Sequence, residues 1–258
     1  MDNKIPPWQL KTPIPAIIFD CDGTLSAIEG IDELAKYNGV GLAVQKLTAE
    51  AMGTTGITLE LYQQRLELVH PTQQQVLALG KQYFAHLTPD VDHIIQIYLR
   101  LKKMIYIVSA GLMPAICIFG ELLHIPKENI FSVDIQFDAD GRYFNFDHTS
   151  PLVTRAGKRH IVNDLKTIHT QLIYIGDGLN DLETKDLVTR FVGYGGAYYR
   201  KNISDQCQFY INTLSMAALL PLTLTQQEYE MLTADEQALY NRGLAAIHDN
   251  TVKYNVIP

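Results

Sequence analysis

The chain has 258 residues, 47% hydrophobic and 19% charged, which is typical of a folded protein with one domain or a core domain carrying an insert. A net charge of −7 argues against a broad nucleic-acid-binding surface. Three scattered cysteines, an N-terminal segment without an apolar stretch and only short apolar runs predict a cytoplasmic protein with no signal peptide or membrane span.

Short apolar runs without polar alternation indicate strands covered by helices on both faces. Five such runs occur, at 16–19, 104–108, 172–175, 190–193 and 208–211. Helical spacing of apolar residues lies between them, for example over 91–102 and 158–168. The alternation predicts an α/β fold with a doubly wound parallel sheet.

The first interval between strands, 27–87, contains helical patterns only. Helices are predicted at 31–38, 40–51, 58–69 and 72–84. We therefore predict a helical cap subdomain inserted into a core made of 12–26 and 88–221.

Two further segments depart from simple alternation. Asp140-Gly141 within 131–146 predicts a hairpin turn. Residues 222–258 contain two capping-box patterns, Thr225–Glu228 and Thr233–Glu236, and predict a C-terminal helical extension that serves packing.

The first predicted strand ends in Asp20-Cys21-Asp22-Gly23-Thr24. Parallel strands of open α/β sheets bind ligands at their carboxyl ends. Repulsion between two carboxylates there would be offset by a divalent cation such as Mg²⁺, which prefers oxygen ligands. The alternative is an ordinary Asp-Gly turn with incidental acids.

Later strand ends add to this pattern. Ser109, followed by backbone N–H groups before a helix, predicts an anion site, and Lys158 at a helix start could neutralise a phosphate. Asp177 and Asp181, in Gly176-Asp177-Gly178-Leu179-Asn180-Asp181, again place acids at the same sheet edge.

Taken in order, these motifs resemble the four motifs of the haloacid-dehalogenase superfamily, over roughly 16–211. The resemblance implies that Asp20 is the nucleophile that forms an aspartyl-phosphate and that Asp22 is the general acid and base. It further implies Mg²⁺ held by Asp20, the main-chain carbonyl of Asp22 and Asp177, and phosphate bound by Ser109, the Ala110 amide and Lys158. Asp181 would share the coordination or orient a metal-bound water, and Asn180 is a further phosphate-binding candidate.

The insert is similar to the small cap of the phosphoserine phosphatases. That resemblance implies substrate contacts from Glu29 to an amino group, from Arg65 to a carboxylate, and from Met52 to the pocket. The alternatives are a helix-terminal acid for Glu29 and, for Arg65, a solvated side chain near Glu60 or Glu67.

The chain also departs from that family. Gly23 stands where a serine is usual and Ala110 where a glycine is usual, and the 58–59 region lacks an expected pocket phenylalanine. The first two changes leave backbone contributions intact, whereas the third bears on the substrate.

We therefore expect a Mg²⁺-dependent phosphomonoesterase acting on a small phosphorylated amino acid, phosphoserine first, without a nucleic-acid or membrane partner. Alternatives are a phosphatase for another small metabolite, a phosphotransferase, and a non-catalytic phosphate-binding module. The sequence does not predict the oligomeric state.

Overall fold

The computed structural model describes residues 6–50 and 56–254. The strands within them are β1 (Ala16–Phe19), β2 (Met104–Leu112), β3 (Ile130–Val133), β4 (Ile135–Phe137), β5 (Tyr143–Phe146), β6 (Leu172–Gly176), β7 (Arg190–Tyr194), β8 (Phe209–Ile211) and β9 (Val252–Tyr254).

The helices of the described residues fall into an insert after β1 and a set that alternates with later strands. They are α1 (Gly30–Tyr37), α2 (Gly41–Glu50), α3 (Leu59–Val69), α4 (Gln73–Ala85), α5 (Val91–Arg100), α6 (Met113–Leu122), α7 (Gly157–Leu165), α8 (Leu179–Leu182), α9 (Lys201–Ser204), α10 (Leu219–Thr223), α11 (Gln226–Glu230) and α12 (Ala234–His248).

The central sheet has the order β3-β2-β1-β6-β7-β8-β9, and every neighbouring pair is parallel except β8 and β9. From β1 the chain adds strands first on one side and then on the other. This confirms the predicted α/β class and all five predicted strands. The reversal beside β1 creates the crevice in which doubly wound sheets bind ligands.

Strands β1 and β6 lie at the centre of the sheet, and all of their residues are buried. Ala16 is opposite both Met104 of β2 and Leu172 of β6. Burial on both faces explains why these segments are continuously apolar.

The four helices predicted within 27–87 are confirmed, with bounds shifted by about one residue where they are described. Two threonines begin the later helices: the Thr58 hydroxyl accepts from the Leu61 N–H at the start of α3. At the start of α4, Thr72 and Gln75 form a capping box. These caps satisfy backbone donors that a helix start leaves unpaired.

The hairpin prediction was correct in its turn and wrong in its extent. Gly141 has φ +76° and connects β4 to β5, as the Asp-Gly pair indicates. Phe131, however, lies in β3, which pairs with β2 in the central sheet. The apolar run 130–133 finds a parallel partner at the sheet edge, so the hairpin begins only at Ile135.

Both C-terminal capping boxes are confirmed, at the starts of α11 and α12. The prediction of a wholly helical extension is wrong at β9, which adds an antiparallel strand beside β8. The extension is also fixed to the core by an ion pair, because Lys103 Nζ lies 2.5 Å from Glu228 Oε1 and both residues are buried.

We propose that 12–26 and 88–221 form the core, 27–87 the cap and 222–258 the extension. A β-bridge pairs Ser26 with Leu87, so the chain leaves and re-enters the core at one place. None of the helices in 6–50 and 56–254 has both the length and the apolar character required to cross a bilayer.

Candidate active site

The carboxyl ends of β1, β2 and β6 bring the predicted chemical groups to one edge of the sheet. Asp20 follows β1, Asp177 follows β6 and Ser109 lies in the last part of β2. Lys158 reaches the same place from the first turn of α7. The four motifs, far apart in sequence, therefore meet in space.

Lys158 connects two of the acids. Its Nζ lies 2.6 Å from Asp20 Oδ1 and 2.7 Å from Asp181 Oδ1, with all three residues buried. Burial and the nearby Asp181 raise the pKa of Asp20, while Lys158 opposes the shift. Burial alone would lower the pKa of Lys158, but Asp181 and Asp20 raise it above its usual range. The ammonium group therefore remains charged.

The acids fit a magnesium ion. One carboxylate oxygen from each of Asp20, Asp177 and Asp181 lies within 4.8 Å of the others. Such hard oxygen donors are what Mg²⁺ prefers. Burial raises the pKa values of Asp20 and Asp177, so a divalent cation would offset a real electrostatic cost. The Asp22 side chain is outside this cluster.

Asp181 is held by donors from its own surroundings. Its Oδ1 accepts from Lys158 and, at 2.7 Å, from the Tyr174 hydroxyl. Its Oδ2 accepts from the Gly178 N–H at 2.9 Å. These bonds fix the direction of the carboxylate.

Asp22 faces the cleft and the cap. Its Oδ1 accepts hydrogen bonds from the Gly30 N–H and the Tyr83 hydroxyl, each at 2.7 Å. Its Oδ2 lies 3.2 Å from Ser109 Oγ. The two acids of the first motif therefore have separate surroundings: Asp20 faces Lys158, and Asp22 faces the entrance of the pocket.

The backbone conformation and the packing at position 23 explain why this residue is a glycine. Gly23 has φ +68°, and a Cβ there would lie 2.6 Å from Asp177 Oδ2 and 3.1 Å from the Tyr198 ring. A side chain would be strained by the backbone and would collide with the acid cluster. The glycine is thus required by the local packing of this chain.

Strand β2, which carries the second motif, is longer than predicted. Strand β2 continues past Val108 to Leu112, so Ser109 and Ala110 lie in an irregular part of the strand instead of following it. The Gly111 N–H donates to Ser109 Oγ at 2.9 Å. Ala110 and Gly111 line the cleft beside Asp22.

Asn180, predicted to bind phosphate, has a different contact in this structure. Its Oδ1 accepts from the Ile57 N–H at 3.4 Å, which links the core to the segment before α3. Met52, predicted to line the pocket, lies outside the described residues.

A cavity of about 40 Å³ lies between the cap and the core. Its lining combines charged groups at one end with an apolar wall: Asp22, Glu29, Ile31, Tyr62, Arg65, Leu66, Leu79, Tyr83, Ala110, Gly111 and Leu112. At that size it accommodates a few water molecules or a small organic group.

Glu29 and Arg65 both belong to the lining of this cavity, as predicted for substrate contacts. Glu29 immediately precedes α1 without a side-chain cap hydrogen bond and is 6% exposed. Burial, followed by Asp22 and Asp177, raises the pKa of Glu29. Its position in the lining favours a role in the pocket over a helix-terminal acid.

The alternative of a solvated Arg65 is wrong, because the residue is 4% exposed. Its guanidinium lies over the Tyr62 ring, at 5.7 Å from the centroid, and 3.4 Å from Thr48 Oγ1. Its buried Nε has no hydrogen-bond partner among the described residues. An arginine with an unused donor beside a small cavity is suited to an anionic ligand.

Sequence reasoning missed Arg200. Its guanidinium pairs with the Asp177 carboxylate, and its Nη2 lies 3.7 Å from Glu29 Oε1. Burial would lower the pKa of Arg200, but Asp177 and Glu29 raise it. The available signal was its place shortly after the glycines that follow β7, at the same sheet edge.

Comparison with known proteins gives consistent matches. Residues 14–184 match the haloacid dehalogenase-like hydrolase family model. The phosphoserine phosphatases of Bos taurus and Homo sapiens are each 33% identical over 198 residues, covering 76% of this chain and 88% of theirs. A phosphoserine phosphohydrolase-like protein from Francisella tularensis has TM-score 0.71 and 24% identity, covering 78% of this chain and 96% of that one.

Proposed function

The chain belongs to the haloacid dehalogenase-like hydrolase family and is a phosphatase; from this premise we propose that it hydrolyses phosphoserine, with Mg²⁺ and through an aspartyl-phosphate at Asp20. The relatives at 33% identity that carry the name phosphoserine phosphatase support the substrate.

The observation that carries the substrate proposal is that Glu29 and Arg65 both line one small cavity. A buried carboxylate suits an ammonium group, and a buried guanidinium suits a carboxylate. The unpartnered Arg65 Nε has a donor ready for that carboxylate. A phosphorylated amino acid has both charges close together, whereas sugar phosphates have neither.

In the first half-reaction, Asp20 attacks the phosphorus. A bond forms between an Asp20 oxygen and phosphorus while the bond from phosphorus to the serine oxygen breaks. Asp22, in its acid form, gives its proton to that departing oxygen. Serine leaves as the neutral alcohol, and the phosphoryl group remains on Asp20.

In the second half-reaction, Asp22 acts as a base. Its carboxylate takes a proton from a water molecule as the water oxygen bonds to phosphorus. The bond between phosphorus and the Asp20 oxygen then breaks, which releases inorganic phosphate. Asp20 returns as a carboxylate and Asp22 as an acid, so the cycle closes.

Charge on the phosphoryl oxygens is balanced by groups of this chain. Lys158 lies beside Asp20 with its ammonium charge retained, and Ser109 lies next to Asp22. Mg²⁺ would be held by the carbonyl of Asp22 and by Asp20, Asp177 and Asp181, whose carboxylate oxygens lie within 4.8 Å of one another. When bound, that ion supplies positive charge opposite the phosphoryl group.

We also propose a cytoplasmic location. Cys21 and Cys117 are free cysteines, and Cys21 is buried. A small number of unpaired cysteines is typical of proteins in a reducing compartment.

Arg65→Ala is expected to reduce kcat/KM for L-phosphoserine by about 10²- to 10⁴-fold, because two charge-assisted hydrogen bonds are each worth about 1.5–3 kcal/mol. Phosphoethanolamine, which lacks the carboxylate, should lose less than about 5-fold, well below one such bond. Steady-state kinetics on both esters measures the difference.

The matched control for that prediction is Gln64→Ala, an exposed position on the same helix α3. It should leave both esters unaffected. Equal losses on the two esters in Arg65→Ala would remove Arg65 from carboxylate recognition.

The proposed function is tested by phosphate release from a panel of esters. The panel contains L-phosphoserine, phosphoethanolamine without the carboxylate, 3-phosphoglycerate without the amino group, and glucose 6-phosphate. The highest kcat/KM is expected on L-phosphoserine. A maximum on a compound without either charge would replace phosphoserine with another metabolite, and phosphate recovered on added alcohols would indicate a phosphotransferase.

A further inference from the structure

The two oxygens of the Asp22 carboxylate have unequal surroundings. Oδ1 accepts two short hydrogen bonds, from the Gly30 N–H and from the Tyr83 hydroxyl. Among residues 6–50 and 56–254, Oδ2 has a single, longer contact, to Ser109 Oγ at 3.2 Å. A carboxyl oxygen that already accepts two donors is a poor place for a proton, so the proton of the acid form belongs on Oδ2.

Tyr83 brings its hydroxyl to Asp22 from helix α4. The residue is 1% exposed, and its ring packs against Phe119 of α6 with centroids 5.6 Å apart. The Ser26 hydroxyl donates to the Tyr83 carbonyl at 2.9 Å, which fixes the backbone as well. The hydroxyl therefore has little freedom to turn away.

Two glycines make room for this contact. A Cβ at Gly30 would lie 1.9 Å from the Tyr83 hydroxyl oxygen, so the absent side chain is the space that the hydroxyl occupies. A Cβ at Gly80, one turn before Tyr83, would lie 2.6 Å from the Ile118 side chain and 2.8 Å from the Ala115 carbonyl. Gly80 thus lets α4 approach α6 closely enough to deliver the tyrosine.

We propose that Tyr83 is a positioning residue for the general acid and base: its hydroxyl, together with the Gly30 N–H, holds Asp22 Oδ1 so that Oδ2 faces the phosphate ester. This inference rests on the proposed function, since it assigns a partner to the group that transfers protons there. In this proposal Tyr83 acts through Asp22, to which its hydroxyl donates.

A positioning role for Tyr83 has a consequence that a purely structural role lacks. Serine leaves as an alkoxide unless its oxygen is protonated, so its departure depends on a well-oriented Asp22. The p-nitrophenolate anion is stable and leaves without a proton. Loss of the Tyr83 hydroxyl should therefore slow the two esters unequally, whereas general damage to the site would slow both.

The experiment compares wild type and Tyr83→Phe, loaded with Mg²⁺, by kcat/KM on L-phosphoserine and on p-nitrophenyl phosphate. The ratio kcat/KM includes only the steps up to transfer of the phosphoryl group, so the later use of Asp22 as a base does not enter. The expected loss is about 10- to 100-fold on phosphoserine and less than about 3-fold on p-nitrophenyl phosphate, within the range that general acids contribute.

Tyr98→Phe is the matched control. Tyr98 is a fully buried tyrosine whose hydroxyl lies 2.6 Å from Thr223 Oγ1, away from the site. Tyr98→Phe also loses a hydroxyl oxygen and a comparable buried hydrogen bond, and its kcat/KM on both esters should be unchanged. Thermal unfolding of both variants checks that each remains folded.

Gly30→Ala provides an independent variant, because its new methyl group takes the place of the Tyr83 hydroxyl. It should show the same inequality between the esters, and adding Tyr83→Phe to it should cost little more. Equal losses on the two esters, or none, in folded Tyr83→Phe would overturn the proposal. A wild type inactive on both esters would instead remove the proposed function.

Discussion

Asp20→Asn is expected to lower kcat for L-phosphoserine by at least about 10⁴-fold, as the loss of a covalent nucleophile does in other enzymes. An amide keeps the size and most hydrogen bonds of the side chain but does not attack phosphorus. Steady-state phosphate release gives the rate, and acid quenching with labelled phosphoserine tests for label on the wild-type protein alone.

The fold should tolerate this change. Folding raises the pKa of Asp20, mainly through burial and then through Asp181, so its ionised form disfavours the folded state. That cost begins as the pH rises above the unfolded pKa and is complete above the folded one. The metal-free variant should therefore remain folded at neutral pH, where Lys158 keeps its ion pair with Asp181.

The control is Asp164→Asn, which makes the same chemical change on an exposed face of α7. It should have wild-type activity. If Asp20→Asn retained more than a tenth of the wild-type rate, Asp20 would not be the nucleophile.

Lys158→Met is expected to damage both activity and stability. It removes the ammonium group that contacts both Asp20 and Asp181 while keeping the length of the side chain. Loss of one donor to a developing phosphoryl charge costs about 10²- to 10³-fold in kcat. Breaking a buried ion pair costs about 3–5 kcal/mol, which corresponds to a fall of about 10 °C in Tm.

At neutral pH, Lys158→Met should lose all of the stabilisation that the charged Lys158 contributes. Asp181 and Asp20 raise the pKa of Lys158 above its unfolded value, despite burial. A group with a raised pKa of this kind contributes its full stabilisation below the unfolded pKa, which is about 10.4 for lysine. The contribution disappears only as the pH rises through the folded pKa.

Differential scanning calorimetry of the metal-free protein measures the effect, and Lys166→Met, at the exposed end of the same helix, is the control. Added MgCl₂ should restore part of the lost Tm, since it supplies charge to the acids left unpaired. An unchanged Tm would show that Lys158 is not the fixed cation of the site.

The central strands of the sheet could be predicted because their own residues are enough to identify them. A strand buried on both faces must be apolar throughout, so 16–19 and 172–175 were visible in the sequence. The acids at their ends were equally visible, because a parallel sheet brings its strand ends to one edge.

The sheet edges could not be predicted in the same way. Strand β9 has three residues, with Val252 buried and Tyr254 exposed, and nothing in so short a run distinguishes it from a loop. It becomes a strand because β8 offers an unpaired edge. The same holds for β3, which continues directly into the hairpin that the sequence indicated.

Contacts between residues far apart in the chain could not be predicted either. Tyr83 bonds to a carboxylate 61 residues away, and Arg200 pairs with an aspartate 23 residues away. No periodicity or motif spacing records such contacts, because they depend on how α4 packs and where the loop after β7 turns. Glu29 and Arg65 were located only through resemblance to a family.

The most direct test of the account is the initial rate of phosphate release from L-phosphoserine, measured on one preparation with MgCl₂ and with excess chelator. A Mg²⁺-dependent phosphoserine phosphatase should release phosphate rapidly with Mg²⁺, stop with chelator, and recover when the ion is added back. Equal release in chelator, or none from phosphoserine with Mg²⁺, would contradict it.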